Sequence, residues 1–441
     1  MIPDAGDIAS PFTRALRVPA LDGDPYRACS TPIYQCATFE QEDPTCFGRY
    51  DYSRSGNPTR ESLERHAAAL ELPALAGRDA DGTGYGELAD GTVAAAAFSS
   101  GLAAIATVFA SLPANSRIVV GDDLYGGTSR LLRCAVEPYG VEVTRVEMAD
   151  LGAVERAVRG DDLSHAASGR RCALVYLETP SNPLQRVADL REIARIAHES
   201  GALLAVDATM MTPHLQRPLV VGADIVVHSA TKGLCGHADV TAGIVAARDA
   251  AVIKRIKHLQ NALGNALAPF ESWLLLRGMK TLAVRVDRQQ RSALEVARTL
   301  QSLEGVGRVH YVGLESHPGH DVHARQSDGP GCVISVELAA ESDAREDGHG
   351  SAVNVAARFI RSLRLFANTV SFGSINSTVS IPACMSHASV PDDVKKRHVI
   401  PGSLVRLSIG LEDPADLLRD IESALEEARQ GREDAALAEQ A

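Results

Sequence analysis

Long apolar runs are missing from this chain. No stretch approaches the roughly 18 consecutive apolar residues that a membrane span requires. The opening residues, MIPDAGDIASPFTRALRVPALDG, have no apolar core of the kind a secretory leader carries. Ser10, Thr13, Arg14 and Arg17 lean toward an organelle-targeting segment, whereas Asp4 and Asp7 lean against one. The expectation is a soluble protein of the cytoplasm or of an organelle (plastid) stroma, not a secreted one. Positive charge is also scarce. With a net charge of −12 the chain would repel a phosphate backbone, which excludes nucleic acid as an expected partner. The one basic run, Lys395-Lys396-Arg397, is too short for a binding patch and is expected to be a solvated loop. Paired cysteine spacing is absent as well. Cys29, Cys36, Cys46, Cys134, Cys172, Cys235, Cys332 and Cys384 form no CxxC pair, and several sit in apolar runs such as RCALVYL and GCVISVEL. Buried, reduced thiols are expected rather than a disulfide framework.

What is present is enough chain for two domains: 441 residues, 45% of them apolar. Between about residues 94 and 246, short apolar runs alternate with helical patterns. The strand candidates are AAAAF (94–98), RIVVG (117–121), ALVYL (173–177), ALLAV (202–206), DIVVH (224–228) and AGIVA (242–246). SGLAAIATVFAS and VADLREIARIAHES lie between them with helical spacing. Strands apolar on both faces and alternating with helices predict a parallel sheet covered on both sides. Ligands of such sheets gather at the strand C-terminal ends. The stretch 271–302 is expected to be one long helix leading into a second domain. There GCVISVEL (331–338) and LVRLSIG (404–410) read as strands before the helix DPADLLRDIESALEEARQ. The first 60 or so residues read as an arm lying over a neighbour. The Gly- and Asp-rich segment 72–91 imitates a calcium loop from Asp79 to Asp90, but Asp90 stands where such a loop ends in Glu, so a surface loop is expected. His317, His320 and His323 in HPGHDVH have metal-like spacing and are read as a polar loop, with no metal expected.

The chemistry concentrates at the strand ends. Directly after DIVVH comes HSATKGLCGHADVTAG, with Ser229, Thr231 and Lys232. A lysine there could be a mere surface charge, but three neighbours argue otherwise. Asp207 emerges from the apolar strand ALLAV, where a carboxylate is costly unless a cation meets it. A protonated pyridine nitrogen is such a cation, and enzymes that use pyridoxal phosphate (PLP) pair theirs with Asp or Arg. AAAAFSSGLAAIATV is a strand, a small-residue turn and a helix start, whose amides at Gly101 and Leu102, next to Ser100, suit a phosphate. Alone that signal is weak, since every capped helix offers as much. Tyr125, in DDLYGGTSRLL, is an aromatic able to stack on a flat ring, or else simply a half-buried loop tyrosine. Together these segments supply an amine for a Schiff base, a pyridinium partner, a phosphate cradle and a stacking ring.

At this point the chain resembles the Cys/Met metabolism family of fold type I PLP enzymes. The resemblance runs from TPIYQCATFE near residue 31 to RLSIGLEDPADLL near residue 418. YDYSRSGNPTRESLE, APFESWLLLRGMKT, HPGHDVH and VSFGSINSTVSIPACMSHASVP carry it most specifically. Within the family these strings resemble plant-type cystathionine β-lyases. The resemblance implies an α/β architecture like that of aspartate aminotransferase, with a mainly parallel sheet in the large domain and a smaller α+β C-terminal domain. The domains expected are an arm over 1–65, a PLP-binding domain over 66–275 and a C-terminal domain over 276–441.

It also implies roles. Tyr52 and Arg54 would reach the PLP phosphate of a neighbouring subunit, giving at least a homodimer and by family habit a tetramer. Ser100, Gly101, Leu102, Ser229 and Thr231 would hold that phosphate from the same chain. Asp207 and Thr209 would serve the pyridine nitrogen, Tyr125 the ring and catalysis, and Lys232 both the Schiff base and proton transfer. Asn182, Ser371 and Arg406 would bind the α-carboxylate of an amino-acid substrate. The expected reaction is β-elimination of cystathionine. The alternatives are a γ-acting relative (cystathionine γ-lyase, γ-synthase or methionine γ-lyase) and, remotely, a non-catalytic regulator that kept the fold. Three departures from the family pattern stand out. Ala208 replaces the Asn that usually follows the pyridinium-binding Asp, 72–91 is inserted, and Asn376 stands where γ-acting members often carry Glu.

Overall fold

The structure, a computed structural model, describes residues 10–18, 24, 26, 28–75, 85–161, 169–339, 349–385 and 400–440. Most of the calcium-like stretch from Asp79, and the run Lys395–Arg397, lie outside these residues. Two compact units emerge. One comprises Met1–Gly121, Leu131–Thr179 and Ala188–Val284; the other comprises Asp122–Arg130, Pro180–Val187 and Arg285–Ala441. The last segment of the first unit ends at Val284. The helix Leu282–Leu300 runs through the division, so no change of pattern marks it in the sequence.

The first unit holds seven strands: Ala95–Phe98 (β1), Arg117–Gly121 (β2), Glu142–Val146 (β3), Cys172–Glu178 (β4), Leu203–Asp207 (β5), Ile225–Ser229 (β6) and Gly243–Ala247 (β7). They lie in the order β1-β7-β6-β5-β4-β2-β3. From β3 to β6 every pairing is parallel, while β7 runs antiparallel to both β6 and β1. The sheet is mainly parallel, as expected, and β7 is the strand that departs from it. The residues between Ser229 and Gly243 coil as turns rather than forming a crossover helix, so the chain returns against its own direction. β3, with sequence EVTRV, was not among the expected strands. It is an edge strand, mostly half-buried, and its polar residues hide it among apolar runs.

Helices cover this sheet by burying one stripe. Leu190, Ile193, Ala194, Ile196 and Ala197 of the helix Leu190–Glu199 pack on Val175, Leu177, Leu204 and Val206 of β4 and β5. Each large apolar side chain so buried contributes about 1.5–3 kcal/mol. The Asp189 carboxylate caps the helix by accepting from the amides of Arg191 and Glu192, a cap worth about 1 kcal/mol.

The second unit has strands Val306–His310 (β8), Val333–Leu338 (β9), Ala367–Asn368 (β10), Thr378–Ser380 (β11) and Leu404–Ser408 (β12), in the order β10-β11-β12-β9-β8. Its core joins Val405 and Leu407 of β12 to Val296, Leu300, Phe359, Leu417 and Ile421 from three helices. The long helix expected over 271–302 is two, Pro269–Met279 and Leu282–Leu300. At the break both the amide and the hydroxyl of Thr281 donate to the Gly278 carbonyl, closing a turn that ends the first helix. The thiols also differ from expectation. Cys172 and Cys235 are buried, but Cys29, Cys36, Cys46, Cys134 and Cys384 are exposed, because the loops and helix faces bearing them are not the apolar strands.

Candidate active site

In the first unit, β5 and β6 end side by side, with Asp207 in register with Val227. Asp207 is partly buried, and its hydrogen-bond donors among the described residues are all neutral. Oδ1 accepts from the amide of Thr209 at 3.0 Å and from its hydroxyl, and Oδ2 accepts from the Tyr176 hydroxyl at 3.3 Å. Burial pushes the carboxyl above its ordinary range. The Thr209 hydroxyl and amide, the charge of His228 and the Tyr176 hydroxyl pull it back. A carboxylate held this way would gain from a cationic partner.

Thr209 ties Asp207 to the next strand, since its Oγ1 accepts from the Ser229 amide at 2.8 Å. Past Ser229 the chain turns tightly. The Lys232 amide donates to the Ser229 carbonyl at 3.1 Å, and the Gly236 amide to the Lys232 carbonyl at 2.8 Å. Thr231 is pinned to β7 by its hydroxyl, which accepts from the Ala242 amide at 3.0 Å.

The helix Gly101–Ala110 starts against this turn. A Cβ on Gly101 would stand 2.8 Å from the Ser229 Cβ, and one on Gly243 would stand 2.2 Å from the Ser100 carbonyl oxygen. Glycine at both positions is therefore a condition of the approach. Ser100 Oγ caps the helix by accepting from the Ala103 amide at 3.1 Å. The amides of Gly101 and Leu102 have no acceptor within the helix and carry the positive end of its dipole. Ser100, Gly101, Leu102, Asp207, Thr209, Ser229, Thr231 and Lys232 are thus brought together by linked contacts.

Tyr52 and Arg54 belong to the same unit but not to this cluster of contacts. Arg54 lies over the Tyr52 ring, 5.2 Å from its centre, and donates from Nε to Asn261 Oδ1 at 3.1 Å. Both residues are exposed. Arg60 clamps the backbone beside them through the carbonyls of Ser53 and Arg54.

The second unit gathers Asn182, Ser371 and Arg406. Arg406 sits in the middle of β12 between Ser335 and Ser380, and is only 3% exposed. Nη1 donates to Asn182 Oδ1 at 2.9 Å, Nη2 to the Ser371 carbonyl at 2.8 Å, and the guanidinium lies 5.3 Å from the centre of the Phe372 ring. None of these partners is a carboxylate. Burial lowers the Arg406 pKa to about 10, with Tyr125 acting in the opposite direction. Ser371 holds its carbonyl in place from a left-handed backbone, φ +86°, a conformation costing a side-chain-bearing residue about 1–3 kcal/mol and typical of sites. Tyr125 is exposed and belongs to this unit.

The histidines of HPGHDVH serve their own loop. His317 Nδ1 accepts from the Gly319 amide, while His320 and His323 pair with the carbonyls of Val312 and Gly329. Three buried residues of this unit escaped the reading of sequence alone. Tyr176 was taken as one more apolar strand position, although a buried phenol requires a partner for its hydroxyl. His228 and Glu71, both 1% exposed, meet at 2.5 Å. No local spacing links them, since they lie far apart along the chain.

The family described as Cys/Met metabolism PLP-dependent enzyme matches residues 13–84 and 85–426. The chloroplastic cystathionine beta-lyase of Arabidopsis thaliana is 41% identical over 401 residues, covering 91% of this chain and 78% of that protein. The cystathionine beta-lyase MetC of Bacillus subtilis is 39% identical over 400 residues, covering 91% and 92%. Among solved structures, the cystathionine gamma-lyase of Lactobacillus plantarum complexed with L-serine superposes with a TM-score of 0.82 at 35% identity, covering 95% of this chain and 99% of that one. The chain belongs to the PLP-dependent enzymes of Cys/Met metabolism.

Proposed function

We propose that the protein is a cystathionine β-lyase, converting cystathionine and water into homocysteine, pyruvate and ammonia. The observation that carries a reading as an amino-acid enzyme is Arg406, a guanidinium withdrawn from water whose described partners are all neutral. Such a cation calls for an anion, and a planar carboxylate matches its remaining N–H donors. The β specificity rests on the two cystathionine beta-lyase relatives and on Asn376, which stands where γ-acting members often carry Glu.

The residues present fit pyridoxal phosphate. Gly101 and Ser229 approach so closely that a methyl group would fill the space, which leaves helix amides and hydroxyls for a phosphate. Asp207 offers a carboxylate whose described hydrogen-bond donors are all neutral, to which a protonated ring nitrogen would add a charged one. When bound, the cofactor supplies an electron sink for charge developing at the substrate α-carbon. Lys232 would hold the cofactor covalently, and its amine would serve as general base for the substrate α-proton. Asp207, positioned by Thr209, keeps the ring nitrogen protonated. Ser100, Gly101, Leu102, Ser229 and Thr231 hold the phosphate, and Tyr125 stacks on the ring. Arg406, Asn182 and Ser371 would orient the substrate α-carboxylate for loss of the β-thiolate. Tyr52 and Arg54 act on a partner subunit's phosphate, so the working unit is at least a homodimer.

Two measurements test this. Borohydride reduction of the holoenzyme followed by peptide mapping should place the cofactor on Lys232; an adduct on another lysine overturns the site. Incubation with cystathionine should yield pyruvate. Release of 2-oxobutyrate instead would establish the γ-acting reading, which the likeness to a gamma-lyase structure keeps as the rival.

A further inference from the structure

Resting on the proposed pairing of Asp207 with the cofactor's ring nitrogen, we infer that Tyr176 is a positioning residue for the reaction: its phenol holds the Asp207 carboxylate ionised and aimed. Tyr176 lies on β4, in register with Ala205 of β5, two residues before Asp207. Side chains two apart on a strand share a face, so the Tyr176 ring runs beneath the same side of the sheet as Asp207. The ring is completely buried and packs edge-on against Phe109 at 5.2 Å. Its hydroxyl reaches Asp207 Oδ2 at 3.3 Å, whereas Oδ1 is already served twice by Thr209. The contact is long for an O–H donor, and catalytic hydrogen bonds often tighten only when the site is filled.

The neighbourhood explains why such a donor matters. Burial alone drives Asp207 toward its neutral acid, which could not keep a pyridine nitrogen protonated. Ala208 follows it and brings no side-chain donor. Tyr176 supplies one from the adjacent strand. Removing it makes the carboxylate more basic, and the shared proton then moves from the ring nitrogen toward Asp207.

The experiment compares wild type, Tyr176→Phe and Phe109→Leu, each loaded with PLP labelled with nitrogen-15 in the ring. Three quantities are read: the ring-nitrogen chemical shift against pH, the dissociation constant for PLP, and the melting temperature. Tyr176→Phe deletes one oxygen and keeps the ring. The expected result is a ring-nitrogen shift displaced toward the unprotonated value, with its titration midpoint lowered by about one pH unit, and kcat reduced about tenfold at nearly unchanged KM. Phe109→Leu disturbs the packing and keeps the hydroxyl, so it should lower the melting temperature and leave the nitrogen shift in place. A protonated nitrogen in wild type that is equally protonated in Tyr176→Phe overturns the inference, whatever happens to stability. A nitrogen already unprotonated in wild type would instead refute the pairing with Asp207 itself.

Discussion

Replacing Arg406 with methionine separates function from stability in a way that depends on how this cation is held. The methionine keeps an unbranched side chain between the cross-strand neighbours Ser335 and Ser380 but removes the guanidinium. In the folded chain Arg406 is nearly inaccessible, and burial brings its pKa down from 12.5 to about 10. At about 1.4 kcal/mol per pKa unit, the fold bears roughly 3 kcal/mol for keeping this charge. Substitution removes that cost but strands the buried Asn182 Oδ1, at about 1–3 kcal/mol if left without a donor. The two effects nearly cancel, and the melting temperature should move by only a few degrees. Activity should not be spared. Loss of a bidentate, charge-assisted contact with the substrate carboxylate should lower kcat/KM for cystathionine by about 10²–10³-fold, with PLP affinity within twofold of wild type. Steady-state kinetics, calorimetric melting and fluorescence titration with PLP read the three quantities. A large fall in melting temperature with kcat/KM intact would show that Arg406 serves the β-sheet and not the substrate, and the reasoning would fail.

Asp207→Asn gives a pH-dependent counterpart. Because the folded carboxyl lies above its ordinary value of 3.8, its stability contribution is present in full below that value and is lost as pH rises through the folded pKa. Apo Asp207→Asn should therefore melt above apo wild type at neutral pH, with the gap closing as pH falls toward 4, while its PLP affinity drops at least tenfold. Gly101→Ala should weaken PLP binding by about tenfold or more in a fluorescence titration, since the new methyl group would meet the Ser229 Cβ at 2.8 Å. The proposed arm can be tested by complementation. Arg54→Ala and Lys232→Ala homomers, each nearly inactive, should regain up to about a quarter of wild-type activity when unfolded and refolded together, because mixed dimers then contain one intact site. No recovery beyond that of either variant alone would place Arg54 in its own chain's site.

The strands that carry chemistry were legible because they are buried on both faces. ALLAV is apolar throughout and DIVVH has an apolar centre, so Asp207 and the polar run from His228 stand out at their ends. β3 was not legible, because EVTRV at the sheet edge mixes polar and apolar residues as a surface segment does. The direction of β7 was hidden for another reason: strand polarity depends on whether the intervening residues cross the sheet or coil at its end, and HSATKGLCGHADVTAG carries no signal for either. Tyr176 was overlooked because its strand position and its partner are set by register between β4 and β5, a property of pairing rather than of spacing. His228 and Glu71 meet only through tertiary packing. Motifs contiguous in sequence were thus readable, and contacts made across strands were not.

Asp207 and Arg406 raise the same question with opposite sign. Each is a formal charge drawn from water and surrounded by neutral hydrogen-bond partners, and each lies in a different unit of the chain. A fold selected for stability alone would replace such groups with apolar side chains or pair them with counter-ions. Keeping both makes sense if each counter-ion arrives with a ligand. Asp207 requires a ligand with a cationic nitrogen, and Arg406 requires one with a planar anion. A ligand that binds only the folded chain stabilises it in proportion to RT ln(1 + [L]/Kd), so each proposed partner should raise the melting temperature on its own. PLP should do so through Asp207, and an unreactive amino-acid analogue should do so through Arg406. Loss of the first increment in Asp207→Asn, and of the second in Arg406→Met, would assign each charge to its ligand without any reaction taking place.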